Sequence, residues 1–298
     1  MRDIVSPLSG FGSPFGQRRR DTPTPPPAAS GGTETVINPS AGEFYRVHTF
    51  LESGNLTVTQ GGSARIRMAA GGGPGSGVIV QFGATGGGSA GDVIEQDVVL
   101  TSGTHEMVVG PGGSSIDDTA GGNSEALGLI ALGGGRGASR ERTSEVLSEA
   151  TDGGGGQGST SAISTDGAAH PTSFQGGAGL GSDIDGDLRS GGGGRGAAGD
   201  GEDATSIKGG DGGAGITSDI SGVPETWGRG GGGGRRGVNA GAPNGASLTN
   251  NGSPGINPGD GGGGGSSEGT STRGGDGADG RVVVRYQITE AEYNAEAV

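Results

Sequence analysis

Residues 261–288 read GGGGGSSEGTSTRGGDGADGRVVVRYQI, and the passage from glycine into an alternating strand decides the fold. Val282, Val284, Tyr286 and Ile288 fall on one face and Arg281, Val283, Arg285 and Gln287 on the other, the period-two pattern of a strand with two distinct sides. Only glycine-rich sequence precedes it, so this strand must pair with strands far upstream. The glycine-rich region then becomes an insertion between two strands of one sheet, pinned at both ends, which limits its closure entropy.

The upstream partners are legible. Between residue 42 and about 132 short alternating runs are separated by Gly, Asn and Ser turns, and strands are expected at 44–50, 56–60, 64–69, 77–82, 94–100, 105–109 and 127–132. In one of them Ala64, Ile66 and Met68 face one way and Arg65 and Arg67 the other. Number and spacing suggest a small β-sandwich of jelly-roll type.

The chain has 76 glycines in 298 residues, 28% hydrophobic and 3% aromatic residues, no cysteine and a formal net charge of -14. One modest core is all it can build. Disulfides, zinc thiolate centres and cysteine nucleophiles are excluded, and the acidic balance argues against nucleic acid as a partner. The arginines at 18–20 are followed by prolines rather than an apolar stretch, so no signal peptide is read, and no run approaches a membrane span.

Between residues 133 and 280 glycine comes in pure runs at 153–156, 191–194, 230–234 and 261–265, separated by loops of unlike sequence. A Gly/Ser linker would be a random coil, but interrupted runs of this kind suit polyglycine II helices, whose N–H and C=O groups point outward every third residue. Each inter-helix hydrogen bond nets about 0.5–1.5 kcal/mol, close to the backbone entropy it offsets, so a pair of helices fails where a hexagonal bundle holds. Strict Gly-X-Y period is missing, which excludes collagen.

The expected architecture is therefore mainly β: an extended Pro-rich arm (1–41), a sandwich (42–132 with 281–288), a polyglycine II insert before the last strand (133–280), and an acidic tail (289–298) that forms a short helix or frays. The arm carries Leu8, Phe11, Phe15, Arg18, Arg19 and Arg20 ahead of a proline spacer. It reads as a disordered tail or, the reading favoured here, as a docking peptide.

Short strands, GGG-containing runs with variable loops and the closing GADGRVVVRYQI strand together resemble the glycine-rich domains of bacteriophage tail fibres and tail-tip adhesins, a pattern also seen in some animal receptor ectodomains. The resemblance spans about residues 42–288 and is best at 232–234, 261–265 and 282–286. The opening MRDIVSPLSGFGSPFG also looks like the start of tail-associated proteins in phages of alphaproteobacteria. The family implies a virion structural protein, made in the host cytoplasm and docked to tail hub or baseplate proteins by its arm. Its bundle-tip loops would bind a bacterial surface glycan or outer-membrane protein, and it would form a homo-oligomer, the trimer being one option. Loop residues Trp227, Phe174, His170, Arg235, Arg236, Asn250 and Asn251 become receptor-binding candidates. For Trp227 the competing reading is a cap on the bundle. A second class of function stays open: a purely architectural tail spacer, capsid decoration or head fibre.

Catalysis finds no support. His48, His105 and His170 sit near no nucleophile elbow, HExxH or phosphate-binding loop, and no cofactor is expected. Asp183, Asp185 and Asp187 copy the first half of a calcium loop, but Leu188 replaces its glycine and Gly194 its bidentate glutamate. That makes them a weak calcium candidate.

Overall fold

The computed structural model describes residues 25–77, 83–140, 147–148, 174–178, 190–205, 208–235, 251–267 and 272–296. The docking residues Leu8 to Arg20, most of the strand expected at 77–82, and Asp183, Asp185 and Asp187 lie outside them. In chain order the elements are β1 (Ala28–Ser30), β2 (Thr33–Ser40), β3 (Glu43–Phe50), β4 (Gly54–Gln60), β5 (Gly62–Ala69), β6 (Gly83–Ala84), β7 (Val93–Leu100) and β8 (Gly103–Val108). Then follow β9 (Ser124–Ala126), β10 (Leu129–Ala131), β11 (Ser139–Arg140), β12 (Leu147–Ser148), β13 (Ile216–Ser218), β14 (Glu225–Trp227), β15 (Ser266–Ser267), β16 (Arg281–Gln287) and α1 (Glu290–Glu296).

Two five-stranded antiparallel sheets, ordered β1-β4-β8-β9-β10 and β2-β3-β16-β5-β7, form the sandwich. The last strand sits in the middle of its sheet, with Val284 opposite His48 of β3 and Ile66 of β5. Its two faces part as the alternation requires. Val282, Val284, Tyr286 and Ile288 join Phe50, Leu56, Val58, Ile66, Met68 and Met107 in the core between the sheets, while Val283 turns outward into a second core with Val47, Ala69, Ile220 and Trp227.

The sandwich begins earlier than residue 42. β1 pairs with β4 and β2 with β3, so the stretch 28–40, assigned above to the arm, supplies an edge strand to each sheet. Its polar residues and Pro39 hid it, and both are what an edge strand tolerates. The crossover between the sheets is Gly31 (φ 130), where a Cβ would stand 2.2 Å from the Asn55 carbonyl oxygen, so only glycine fits.

At that crossover His48 is fully buried. Its Nδ1 lies 2.9 Å from the Gly31 carbonyl and its Nε2 3.1 Å from the Tyr286 hydroxyl. The carbonyl can only accept, so Nδ1 carries a proton, and in the neutral ring Nε2 accepts from the Tyr286 hydroxyl. Burial pushes the His48 pKa below its ordinary 6.5, against the smaller opposing pull of the Gly31 carbonyl and Glu34. The unfolded chain therefore binds the proton more readily, and stability is full above about pH 6.5 and falls as pH drops below it. Urea midpoints should fall between about pH 7 and pH 5, and His48→Gln should reduce that fall.

The tail forms α1, capped reciprocally: Glu292 N–H donates to Thr289 Oγ1 at 3.2 Å and Thr289 N–H to Glu292 Oε2 at 2.8 Å. This is a capping box, and the Thr289 N–H and hydroxyl, both donating to the Glu292 carboxylate, lower its pKa from the ordinary value. Tyr293 packs on Phe44 at 5.0 Å between ring centroids.

The glycine segments form a polyglycine II bundle, and its hydrogen bonds show the three-residue period directly. In 85–92 the N–H groups of Thr85, Gly88 and Gly91 donate to Gly265, Gly262 and Gly259; those of Gly86, Ser89 and Asp92 to Ala138, Gly135 and Leu132; and those of Gly87 and Ala90 to Gly192 and Arg195. Each residue turns one third of a revolution from the last and every third meets the same neighbour. Segment 71–77 is encircled: it donates to Gly122, to Ala278 and Gly275, and to Ser89 and Gly86, and accepts from Gly113, from Gly134 and Gly137, and from Gly262 and Gly265.

The bundle is not one insertion. Segments 70–77 and 85–92 flank β6, and 110–113 and 119–123 lie between β8 and β9, all upstream of the boundary expected at 133. Their glycines read as turn signals, yet these stretches are rods that leave one end of the sandwich and return to it.

Candidate recognition end of the bundle

The rods run from a near end, where Ala70, Asp92, Leu132 and Gly280 meet the strands, to a far end where other chain segments converge. There Ala84 pairs with Ser266, Ser190 bridges Arg235, and Ser76 N–H donates to Gly86. Small hydroxyls replace glycine at this level. Ser76 Oγ donates to the Gly137 carbonyl, and Thr85 Oγ1 donates to the Ser76 carbonyl and accepts from Gly265 N–H at 2.9 Å. Ser76, Thr85, Ser190, Arg235, Ser266 and Thr272 are all buried. Ser76 closes the Gly137 carbonyl and Thr85 adds a second bond to the Ser76 carbonyl, whereas the buried hydroxyls of Ser190, Ser266 and Thr272 make no hydrogen bond among the described residues, so the lattice ends in a layer of small polar side chains. From this layer the chain enters 78–82, 179–189, 236–250 and 268–271, outside the described residues.

The sequence candidates divide. Trp227 is fully buried at the near end, on the outer face of the β16 sheet. It cannot present itself to a receptor, because that face carries Val47, Ala69 and Val283 and needs a cover; the β13–β14 hairpin supplies it. Arg67 lies beneath, also fully buried, its guanidinium 4.0 Å from the indole centroid. It donates to the carbonyls of Ile216 at 2.5 Å, Glu225 at 3.2 Å and Ser218 at 3.4 Å. Burial pulls the Arg67 pKa down, with Glu95 and Glu225 opposing. Arg281 pairs with Glu225 at 3.3 Å and completes the cover.

Arg235 is buried at the far end, bridged to Ser190. The rod from Trp227 to Arg235 is about 25 Å long at polyproline II rise, so the two cannot belong to one site. Phe174 is half-buried beside the short rod 175–178. Asn251 is exposed, but its carboxamide oxygen accepts from Arg273 N–H at 2.8 Å and is spent on structure. His170, Arg236 and Asn250 lie outside the described residues.

Asn251 belongs to a recurrent device that the sequence reading missed. In Asn251-Gly252 the side-chain oxygen takes the N–H of Arg273 while the next N–H donates to the carbonyl of the same residue at 2.8 Å. Asp260-Gly261 clasps Arg229 in the same way (2.8 and 2.7 Å), Asp200-Gly201 clasps Gln175 (2.7 and 2.9 Å), and Asp203-Ala204 clasps Ala178 (2.6 and 2.8 Å). In an antiparallel form, Asp276 takes Ser115 N–H at 2.6 Å while Gly277 donates to Gly113. Asp279 takes Gly112 N–H at 2.7 Å while Gly280 donates to Gly110. The signal was an Asp or Asn before a small residue, repeated after three residues in 200–204 and 276–280.

Two further features bear on chemistry. Among the described residues no group of three His, Asp or Glu converges to hold a metal ion. A groove of ≈ 530 Å³ on the outer sheet face is lined by Tyr45, Ser63, Arg65, Asp97, Val99 and Arg285. Its arginines are already engaged: Arg65 pairs with Glu95 at 2.9 Å, and Arg285 lies over Tyr45 at 4.8 Å and donates to the Asp219 carbonyl.

With this geometry in place, comparison with known families gives one finding: the model of a glycine-rich domain matches residues 49–287. No curated protein matches the chain.

Proposed function

The chain belongs to the glycine-rich domain family, and from that premise we propose that it is a bacteriophage virion component, a tail fibre or tail-tip protein. In this reading its N-terminal arm docks to hub or baseplate proteins, and the far end of its bundle holds variable segments against a host surface glycan or outer-membrane protein. Binding is passive, and its strength comes from several copies per particle. The observation that carries the reading is the convergence of Ala84, Ser190, Arg235 and Ser266 at the end remote from the sandwich. A lattice cross-linked by backbone is a stiff mount, and unlike loops on a stiff mount are how a scaffold changes specificity without refolding.

The test is adsorption of the full chain to a panel of bacteria, comparing the parent with a variant carrying alanine at His170, Phe174, Arg236 and Asn250. Saturable binding that falls at least about tenfold in the variant supports recognition at the far end. A folded parent that binds no host moves the assignment to an architectural spacer. Removal of residues 1–24 should leave a folded protein absent from particles.

A further inference from the structure

A polyglycine II rod has donors and acceptors on every side, so a bundle of them has no natural edge. Its outer rods present backbone groups in rows repeating every third residue, the same liability as an open sheet edge. Every other copy of the chain carries a matching lattice, and lateral addition of a second bundle would need no side-chain complementarity at all.

We propose that the exposed aspartates Asp200, Asp203, Asp276 and Asp279 terminate the lattice on two sides, closing these faces to the rods of a second copy. Asp200 and Asp203 cap the N–H groups of Gln175 and Ala178, and Asp276 and Asp279 those of Ser115 and Gly112. Each pair is spaced by one helical repeat, about 9 Å, so successive N–H groups of one row are taken in turn. All four aspartates are exposed, whereas Asp260, in the same clasp, is buried and joins two interior rods. The clasp thus serves as a cross-link inside and as a terminator outside. The cap is intramolecular and already in place, as the neutral Asn251 shows in the same clasp, so a second bundle's carbonyl would have to displace one bond to make another.

The experiment is sedimentation velocity over a range of concentrations on the full chain and two quadruple variants, Asp→Gly and Asp→Asn at 200, 203, 276 and 279. Asparagine keeps the accepting oxygen and removes the charge. The glycine variant should at least about double its weight-average mass as concentration rises, with Trp227 emission unchanged, while the asparagine variant sediments as the parent does. A folded glycine variant that sediments like the parent overturns the proposal. So does an asparagine variant that associates equally, since charge and not capping would then be the barrier. Hydrogen exchange on the parent chain reads the caps without any substitution: the amides of Gly112, Ser115, Gln175 and Ala178 should be protected, and exchange at the rate of an unstructured peptide overturns the proposal even if the glycine variant fails to fold.

Discussion

Alanine at Gly231 is expected to destabilise the protein by about 3 kcal/mol or more, at the upper end of what overpacking costs. Gly231 donates to the Gly88 carbonyl at 2.9 Å and accepts from Gly194 N–H. A Cβ there would stand 2.0 Å from the Gly262 carbonyl oxygen and 2.5 Å from its carbon. Those atoms are backbone, and the rod they belong to is hydrogen-bonded elsewhere, so no rotamer change relieves the clash. Gly199 is the control, since its Cβ would find Ala214 N at 3.6 Å, an ordinary contact. Alanine at Gly199 should stabilise by about 0.5 kcal/mol through the unfolded state. Urea midpoints followed by Trp227 emission distinguish the two, because Trp227 leads directly into the rod that holds Gly231. Equal effects at both positions would mean that the rods are not in backbone contact.

Trp227→Ala should cost about 3–5 kcal/mol, the range for deleting a buried large aromatic. The ring fills the second core with Ile220 and Val283 and seals a buried cation. Without it Arg67 keeps its bonds to Ile216, Ser218 and Glu225 but faces a cavity that admits water. The interaction between the two side chains should emerge as about 1–2 kcal/mol of coupling in a double-mutant cycle with Arg67→Met, read by circular dichroism in urea. Below its own melting temperature the Trp227→Ala chain should still adsorb wherever the parent does, because this residue stands a full rod from the far end.

Strand 281–287 could be read from sequence because its alternation is strict and its glycine-rich surroundings leave only distant partners. The same reading gave 43–50, 54–60 and 62–69 to within two residues. Strands 28–30 and 33–40 escaped it, since edge strands need few apolar residues and Thr33–Ser40 carries Pro39. Burial of Trp227 escaped it for another reason. A lone tryptophan beside a glycine run looks exposed until one sees that Val283, Val47 and Ala69 form an outward apolar strip that the hairpin must cover. The rods at 70–77 and 85–92 were hidden because glycine signals a turn when it is short and a rod only when neighbours are known. The clasps were invisible until the three-residue period was established, since their logic lies in spacing and not in any single residue.

The clasps also bear on how the chain ages. Aspartyl-glycyl and asparaginyl-glycyl links are the weak points of a polypeptide, because the glycine nitrogen can attack the preceding side-chain carbonyl, closing an imide that reopens with an extra methylene in the main chain. In Asp200-Gly201, Asn251-Gly252, Asp260-Gly261, Asp276-Gly277 and Asp279-Gly280 that nitrogen is engaged with a carbonyl of another rod, and the side-chain oxygen is held by a different amide. Ring closure would have to break both bonds first. At these five links a chemically fragile sequence is thereby made durable, and the lesion that would lengthen a rod by one atom and spoil its register is blocked there.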